Sequence, residues 1–129
     1  MTSNRPRAVL AGHADVAHGL VSAVQVIAGR GDRFVPLSNA GHGADTLLAA
    51  LRALVADEGA QVIFTDLPAG SATLAARRLQ REQPTLTVVA GVNLAALLEF
   101  AMQDAPDAAA AVDKGRAAML AWPGGTGAA

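Results

Sequence analysis

Three side chains with complementary chemistry follow the ends of predicted strands. His13 follows the predicted strand of residues 7–11, after a single glycine. Asp66 and Ser71 come after the apolar run of residues 61–65. In open α/β sheets the carboxyl ends of the strands form the crevice where ligands bind, and the first and third strands commonly lie side by side. The sequence therefore predicts an imidazole, a carboxylate and a hydroxyl at one edge of a sheet.

This set of side chains suits the transfer of a phosphoryl group through histidine. A neutral imidazole is a good nucleophile, because histidine ordinarily titrates at about pH 6.5. A carboxylate bonded to one ring nitrogen would fix the tautomer and leave the other nitrogen free to attack. The phosphoryl oxygens need donors, which a serine hydroxyl and the backbone N–H groups at a helix start can supply. We therefore predict His13 and Asp66 as catalytic residues and Ser71 and Gly70 as phosphoryl-binding residues, with Ala72 as a further candidate.

Simpler interpretations of the same residue types are also open. A lone histidine at a strand end is more often a hydrogen-bonded turn residue, and Asp66 could merely cap the third helix. His18 lies five residues after His13, so the two do not share a helical face as metal ligands four residues apart would. We interpret His18 as solvent-facing and His42 as a loop residue that could line the site, and we expect no metal site.

Apolar periodicity predicts the elements that must hold these side chains. Short continuous apolar runs indicate buried strands, whereas apolar residues at helical spacing indicate amphipathic helices. Pro36 cannot donate to a strand ladder, so the second strand is expected at an edge of the sheet. Asp15 is expected to cap the first helix, and a second catalytic carboxylate is the alternative. The predicted strands are 7–11, 34–37, 61–65 and 86–90; a helix follows each of them, the fourth over 94–102, and a fifth covers about 107–120.

The order of these elements predicts the architecture. Strands that alternate with helices imply right-handed crossovers and a mostly parallel sheet covered on both faces. We therefore expect an α/β fold, a single doubly wound domain with a mostly parallel four-stranded sheet. The expected domain covers residues 7–120, between a flexible arm of residues 1–6 and a flexible tail of residues 121–129 in which Trp122 could be anchored.

The overall composition narrows the classes of function. The 129 residues carry a formal net charge of −1, which gives no bulk attraction for nucleic acid or anionic membranes. The absence of cysteine excludes disulfides, thiol catalysis and thiolate metal sites. No apolar run approaches the roughly 20 residues that span a bilayer, and the N-terminus lacks the pattern of a signal peptide. We expect a soluble, cytoplasmic protein that needs no cofactor and binds no nucleic acid.

Three segments at the predicted strand ends resemble a known family. They are Gly-His-Ala at 12–14, Thr-Asp-Leu-Pro-Ala-Gly-Ser-Ala at 65–72, and Gly-Val-Asn-Leu-Ala-Ala-Leu-Leu-Glu at 91–99. The chain resembles the enzyme IIA component (EIIA) of the mannose/fructose/sorbose class of the bacterial sugar phosphotransferase system (PTS). That family has threonine- or serine-His-Gly, Thr-Asp-Leu-Phe-Gly-Gly-Ser-Pro and Gly-Val-Asn-Leu-Pro-Met-Leu-Leu-Glu at the corresponding places. The resemblance extends over about residues 7–103, and the third segment is the most specific.

The resemblance implies a phosphocarrier. His13 would take a phosphoryl group from the carrier protein HPr and pass it to a histidine of the cognate IIB domain, which phosphorylates the sugar entering through the membrane components IIC and IID. Asp66 would orient His13, and Ser71 with neighbouring amides would hold the phosphoryl oxygens. Asn93 matches a family residue near the site. The family is generally homodimeric, often with a C-terminal strand exchanged between subunits.

The segments around the predicted site depart from the family's pattern. Gly12 stands where the family has threonine or serine, and Ala14 stands where it has glycine. Pro68 replaces an aromatic residue, Ala69 replaces a glycine, and residues 72–74 replace Pro-Phe-Asn. We therefore expect the chemistry to be retained and the surface that recognises HPr and IIB to be altered. The helical pattern of the C-terminal region argues against strand exchange.

Three alternative functions stay open at this point. A related subunit with the same fold delivers phosphoryl groups to a dihydroxyacetone kinase, but it should have a more glycine-rich segment than residues 38–43. A regulatory binding module could keep the fold without transfer activity. An aspartate after the third strand also resembles a response-regulator receiver, but that class needs acids after the first strand and a lysine after the last, whereas the only lysine here is Lys114.

Overall fold

The computed structural model describes residues 7–125, and four parallel strands in this range form one sheet. The strands are β1 (Ala8–Gly12), β2 (Phe34–Ser38), β3 (Val62–Thr65) and β4 (Thr87–Val89), in the order β2-β1-β3-β4. The prediction that the first and third strands are neighbours in the sheet is confirmed. The second strand is at an edge as expected, where the missing N–H of Pro36 leaves no gap in the interior of the sheet.

Helices cover both faces of the sheet, as predicted for a doubly wound α/β fold. Across the described residues they are α1 (Val16–Ala28), α2 (Ala44–Glu58), α3 (Ser71–Glu82), α4 (Leu94–Ala101) and α5 (Ala108–Ala118), with a 3₁₀ turn at Gly31–Arg33. No helix within 7–125 is long and apolar enough to span a bilayer.

Two apolar cores form because successive side chains of a buried strand point to opposite faces. On one face, strand residues such as Leu10 and Phe64 pack with α1, α4 and α5. Phe64 meets Phe100 edge-on at 5.0 Å between ring centroids, and Phe34 lies in the same core. On the other face, Val9 and Ile63 pack against α2 and α3. Both faces of β1 and β3 are therefore covered. A shift of one residue would turn every side chain to the opposite face, so burial on both faces fixes how the two strands pair.

The two ends of the predicted domain differ from expectation in detail. The arm of residues 1–6 and residues 126–129 lie outside the described residues. The last helix ends at Ala118 instead of continuing to residue 120. Trp122 is not anchored within the chain, because the residue is 84% exposed. Residues 119–125 contain no helix or strand.

Candidate active site

The turn that carries His13 lies at the carboxyl end of the central strand β1. Gly12 ends the strand, and the N–H of Val16 donates to the carbonyl of His13 at 3.0 Å as α1 begins. Ala14 has a positive φ of 47°, in the left-handed region that glycine adopts more easily. Asp15 stands before α1, but its side chain makes no capping hydrogen bond, so the expected cap is not present.

Asp66 holds His13 through two hydrogen bonds to one carboxylate oxygen. Oδ2 of Asp66 accepts from the backbone N–H of His13 at 2.9 Å and lies 2.8 Å from Nδ1 of its ring. The β1–β3 register pairs Ala11 with Thr65, which brings the segments that follow them to the same place at the sheet edge. The alternative in which Asp66 caps α3 is excluded, since the N-cap position of that helix is Gly70.

The close approach of Asp66 to the turn depends on Gly12. A Cβ on Gly12 would lie 3.1 Å from both Cγ and Oδ2 of Asp66, which is tighter than an ordinary contact. Glycine at position 12, where the family that the chain resembles has threonine or serine, therefore makes room for the Asp66 carboxylate. In this chain the carboxylate occupies space beside the strand that a side chain at position 12 would need.

The protonation state of the pair follows from its surroundings. Burial acts to raise the pKa of the Asp66 carboxyl, but the hydrogen bonds from the backbone and ring of His13 and the charge of that ring outweigh it, so the pKa is lowered. The carboxylate is therefore ionised near neutral pH and can accept a hydrogen bond from an Nδ1–H group. In the neutral tautomer with its hydrogen on Nδ1, Nε2 has a lone pair. The His13 side chain is 42% exposed, so the ring is accessible from solvent.

The start of α3 approaches the ring of His13 from the other side. Gly70, the N-cap residue, has φ 120° and ψ 172°, a conformation that is essentially confined to glycine. A Cβ on Gly70 would lie 3.1 Å from Cε1 and 3.6 Å from Nε2 of His13. The first backbone N–H groups of a helix have no partner within the helix, and the positive end of its dipole favours an anion. A phosphoryl group on Nε2 would therefore lie close to these donors.

Two buried threonines hold the loop that connects β3 to α3. Thr65 is fully buried and Thr73 is nearly so, and their hydroxyl oxygens are 2.6 Å apart. The Thr73 hydroxyl also donates to the carbonyl of Leu67 at 2.5 Å. This arrangement fixes the loop between Asp66 and the helix start. The side chain of Ala72 is buried in the core, so only its backbone could contribute to the site.

Asn39 belongs to the site, although sequence reasoning did not select it. Its side chain accepts from the N–H of Ala14 at 3.3 Å and donates to Oγ of Ser71 at 3.0 Å. The available signal is an asparagine directly after the second strand, next to Ser38 at the strand end. Ser38 accepts from the N–H of Ala40 within its own turn.

The side chain of Asn93 is engaged by two helices. Its Oδ1 accepts from the N–H of Ala96 at 3.0 Å and caps α4, while its Nδ2 donates to the carbonyl of Gly115 at 2.8 Å. The side chain thus ties α4 to α5 and does not line the depression beside His13. His42 lies 3.1 Å from the hydroxyl of Thr46, at the start of α2.

An open, mostly apolar depression of about 660 Å³ lies beside His13 and Asp66. Val16 and Leu20 of α1 line it together with Leu67 and Val92 from two strand-end loops. His18 is exposed and is not part of its lining. Throughout residues 7–125, no three histidine or carboxylate residues gather where they could hold a metal ion. The site therefore combines a partly exposed imidazole with an adjoining apolar depression.

Comparison with known proteins identifies the family. A family profile described as the PTS system fructose IIA component (EIIA-man) matches residues 7–116. No curated protein sequence matches the chain at a significant level.

Solved structures agree with this assignment. A mannose/sorbose-specific IIA subunit from Enterococcus faecalis is similar with 25% identity and a TM-score of 0.78, over 92% of this chain and 96% of that one. A PTS IIA protein associated with the fucose utilization operon of Streptococcus pneumoniae has a TM-score of 0.81 at 19% identity, over 94% and 96% of the two chains. A PTS component EIIA from Streptococcus agalactiae has a TM-score of 0.76 at 21% identity, over 89% and 95%. The last two likenesses concern the fold alone. Because the family profile covers most of the chain, the protein belongs to the EIIA-man family of PTS system IIA components.

Proposed function

We propose that the protein is a phosphocarrier that accepts a phosphoryl group from phosphorylated HPr on Nε2 of His13 and passes it to a cognate IIB domain. Membership of a PTS IIA family carries a role in phosphotransfer. The observation that carries the finer proposal is the 2.8 Å contact between Nδ1 of His13 and Oδ2 of the ionised Asp66, which occupies Nδ1 and makes Nε2 the nitrogen that would attack.

In the proposed step, the lone pair on Nε2 forms a bond to phosphorus while the nitrogen–phosphorus bond of the donor breaks. The electron pair of the broken bond returns to the donor imidazole. The proton on Nδ1 of His13 stays in place, and the carboxylate of Asp66 stabilises the positive charge that develops on the ring. The reverse sequence, with the IIB histidine as the nucleophile, returns His13 to its neutral form.

The phosphoryl oxygens would be bound by the start of α3. Gly70 brings the helix backbone next to Nε2, and the Ser71 hydroxyl lies on the same helix turn. Such fixed donors stabilise the charge of the transferring group without rearrangement, which is the main source of catalysis in phosphoryl transfer. The backbone N–H of Ala72 is a further donor candidate in this proposal.

The apolar depression supports docking of HPr and IIB in turn. It lies against the exposed imidazole, so a partner that covers Val16, Leu20 and Leu67 brings its own histidine close to Nε2. Through IIB, the phosphoryl group would reach the membrane components IIC and IID and the sugar. This sequence of partners would place the protein in the cytoplasm.

A homodimer is part of the proposal as well. Its support is the exposed apolar segment after α5, in which Met119 is 80% exposed, Leu120 61% and Trp122 84%. A second copy that covers this segment would remove apolar surface from water. Light scattering on the full chain and on a Trp122→Ala, Leu120→Ala double variant tests this contact, and a monomeric wild-type protein would exclude it.

The function is tested by incubating the protein with phosphoenolpyruvate, enzyme I and HPr. We expect acid-labile labelling that His13→Ala abolishes. His18→Ala is the matched control, because His18 is exposed on α1 only five residues away and should not affect labelling. An unlabelled wild type in the presence of active HPr would refute the phosphocarrier proposal and leave a binding role. Onward transfer is then measured to IIB and to a dihydroxyacetone kinase, and transfer to the kinase alone would exclude IIB as the acceptor.

A further inference from the structure

We propose that Asn39 is a positioning residue that sets the direction in which the Ser71 hydroxyl donates, an inference that rests on the proposed phosphocarrier function. Asn39 follows β2, and its backbone N–H donates to the carbonyl of Gly12 at 2.9 Å. This hydrogen bond extends the β1–β2 pairing by one residue. It anchors Asn39 beside the end of β1, directly before His13.

The side-chain amide of Asn39 has only one orientation that satisfies both of its neighbours. The N–H of Ala14 can only donate, so the group facing it must be the carbonyl oxygen Oδ1. Nδ2 therefore faces Ser71 and donates to its Oγ. One amide thus links the residue after His13 with the first residue of α3, and it does so across 25 and 32 positions of sequence respectively.

This orientation determines what the serine hydroxyl can do. A hydroxyl has one hydrogen to donate and two lone pairs that accept, and its hydrogen rotates to suit its neighbours. Because Nδ2 of Asn39 occupies one lone pair of Oγ, the Ser71 hydrogen is directed away from Asn39. It is then free to donate to an oxygen of a phosphoryl group on His13. No bond forms or breaks at Asn39 during the transfer.

The substitution Asn39→Asp separates this role from a merely structural one. The carboxylate that it introduces is nearly isosteric with the amide, so one oxygen would still accept from the N–H of Ala14. The second oxygen would take the place of Nδ2 and accept from the Ser71 hydroxyl, whereas Nδ2 donates to it. The Ser71 hydrogen would be drawn away from the phosphoryl group. We expect Asn39→Asp to slow phosphorylation of His13 about tenfold, the size of one hydrogen bond to a charged group.

The added charge needs its own control, which the neighbouring residue offers. Ala40 is exposed and follows Asn39 directly, so Ala40→Asp adds a carboxylate to the same loop and leaves the Asn39 amide in place. Each variant is made in the wild type and in Ser71→Ala. In the Ser71→Ala background we expect Asn39→Asp to be no slower than Ala40→Asp, because no hydroxyl remains to be redirected.

Two phosphoryl donors distinguish positioning from docking. Phosphorylated HPr must dock on the protein, whereas phosphoramidate is a small donor that needs no protein contact. We expect Asn39→Asp to slow both donors to the same extent, and the urea unfolding midpoint to identify any variant that is merely unfolded. A tenfold loss that persists undiminished in Ser71→Ala, or a loss with HPr alone, would overturn the role of Asn39. A wild type that neither donor labels at His13 would instead refute the proposed function itself.

Discussion

Substitution of Gly70 by alanine perturbs the site through one methyl group. The new Cβ would lie 3.1 Å from Cε1 of His13, a few tenths of an ångström inside an ordinary contact. The imidazole cannot withdraw freely, since its Nδ1 is held 2.8 Å from Asp66. The backbone of Gly70, at φ 120° and ψ 172°, is also strained for any other residue, at a cost of about 1–3 kcal/mol.

We therefore expect two separate losses in Gly70→Ala. The free energy of unfolding should fall by about 1–3 kcal/mol because of the backbone conformation. The rate of His13 phosphorylation by HPr should fall about tenfold or more, because displacement of a reacting group by about 1 Å can cost about 100-fold. Urea unfolding measures the first quantity, and the initial rate of acid-labile labelling measures the second.

Gly59→Ala is the matched control for backbone strain. Gly59 has φ 65° at the end of α2, and a Cβ there meets no atom within 4 Å. It should lose about 1 kcal/mol of unfolding free energy and keep the wild-type labelling rate. If Gly70→Ala loses stability but is labelled as fast as Gly59→Ala, close packing of the start of α3 on the His13 ring does not control phosphorylation.

Three further substitutions test other parts of the site. In Asp66→Asn we expect slower phosphorylation and a lower free energy of unfolding near neutral pH; because the pKa of Asp66 is lowered in the folded state, the wild type's advantage should shrink as the pH falls through that pKa. Urea titrations at several pH values measure this difference in unfolding free energy. A difference that does not change with pH would show that the ionised pair of Asp66 with His13 does not stabilise the fold. Ala14→Gly should leave the free energy of unfolding unchanged or raise it by up to about 1 kcal/mol, since relief of the left-handed strain exceeds the added flexibility of the unfolded chain. A loss of stability in that variant would contradict the assignment of strain to the turn. Asn93→Ala should lose about 1–2 kcal/mol through the missing cap of α4, with labelling of the folded protein unaffected; a defect in labelling at equal stability would return Asn93 to the site.

The altered residues around His13 acquire a physical meaning only in the folded chain. Gly12 lacks the side chain that would crowd Asp66, and Ala14 adopts a conformation that glycine would adopt at lower cost. Pro68 lies near Gly91, where its ring would be 3.7 Å from a Cβ on that glycine. These departures surround the His13–Asp66 pair without separating it.

The roles of Asn39 and Asn93 show where reasoning from sequence stops. Both residues follow strands, so both lie at the carboxyl edge where ligands bind. Position along the chain does not show whether a neighbouring helix already occupies the hydrogen-bonding groups of a side chain. Asn93 is fully engaged by α4 and α5, whereas Asn39 connects the two segments that flank the His13 ring.

Local patterns in the sequence determined the α/β fold class and the order of strands and helices along the chain. The neighbourhood of His13 and Asp66 was predicted from the usual adjacency of the first and third strands in such folds. Apolar periodicity is set by neighbours a few residues apart, and parallel strands necessarily place their carboxyl ends together. The tertiary structure alone decided that Oδ2 accepts both His13 donors, that Gly70 lies against the imidazole, and that Asn39 contacts Ser71. These contacts join residues at least 32 positions apart, and their geometry depends on register and backbone dihedral angles that no local pattern encodes.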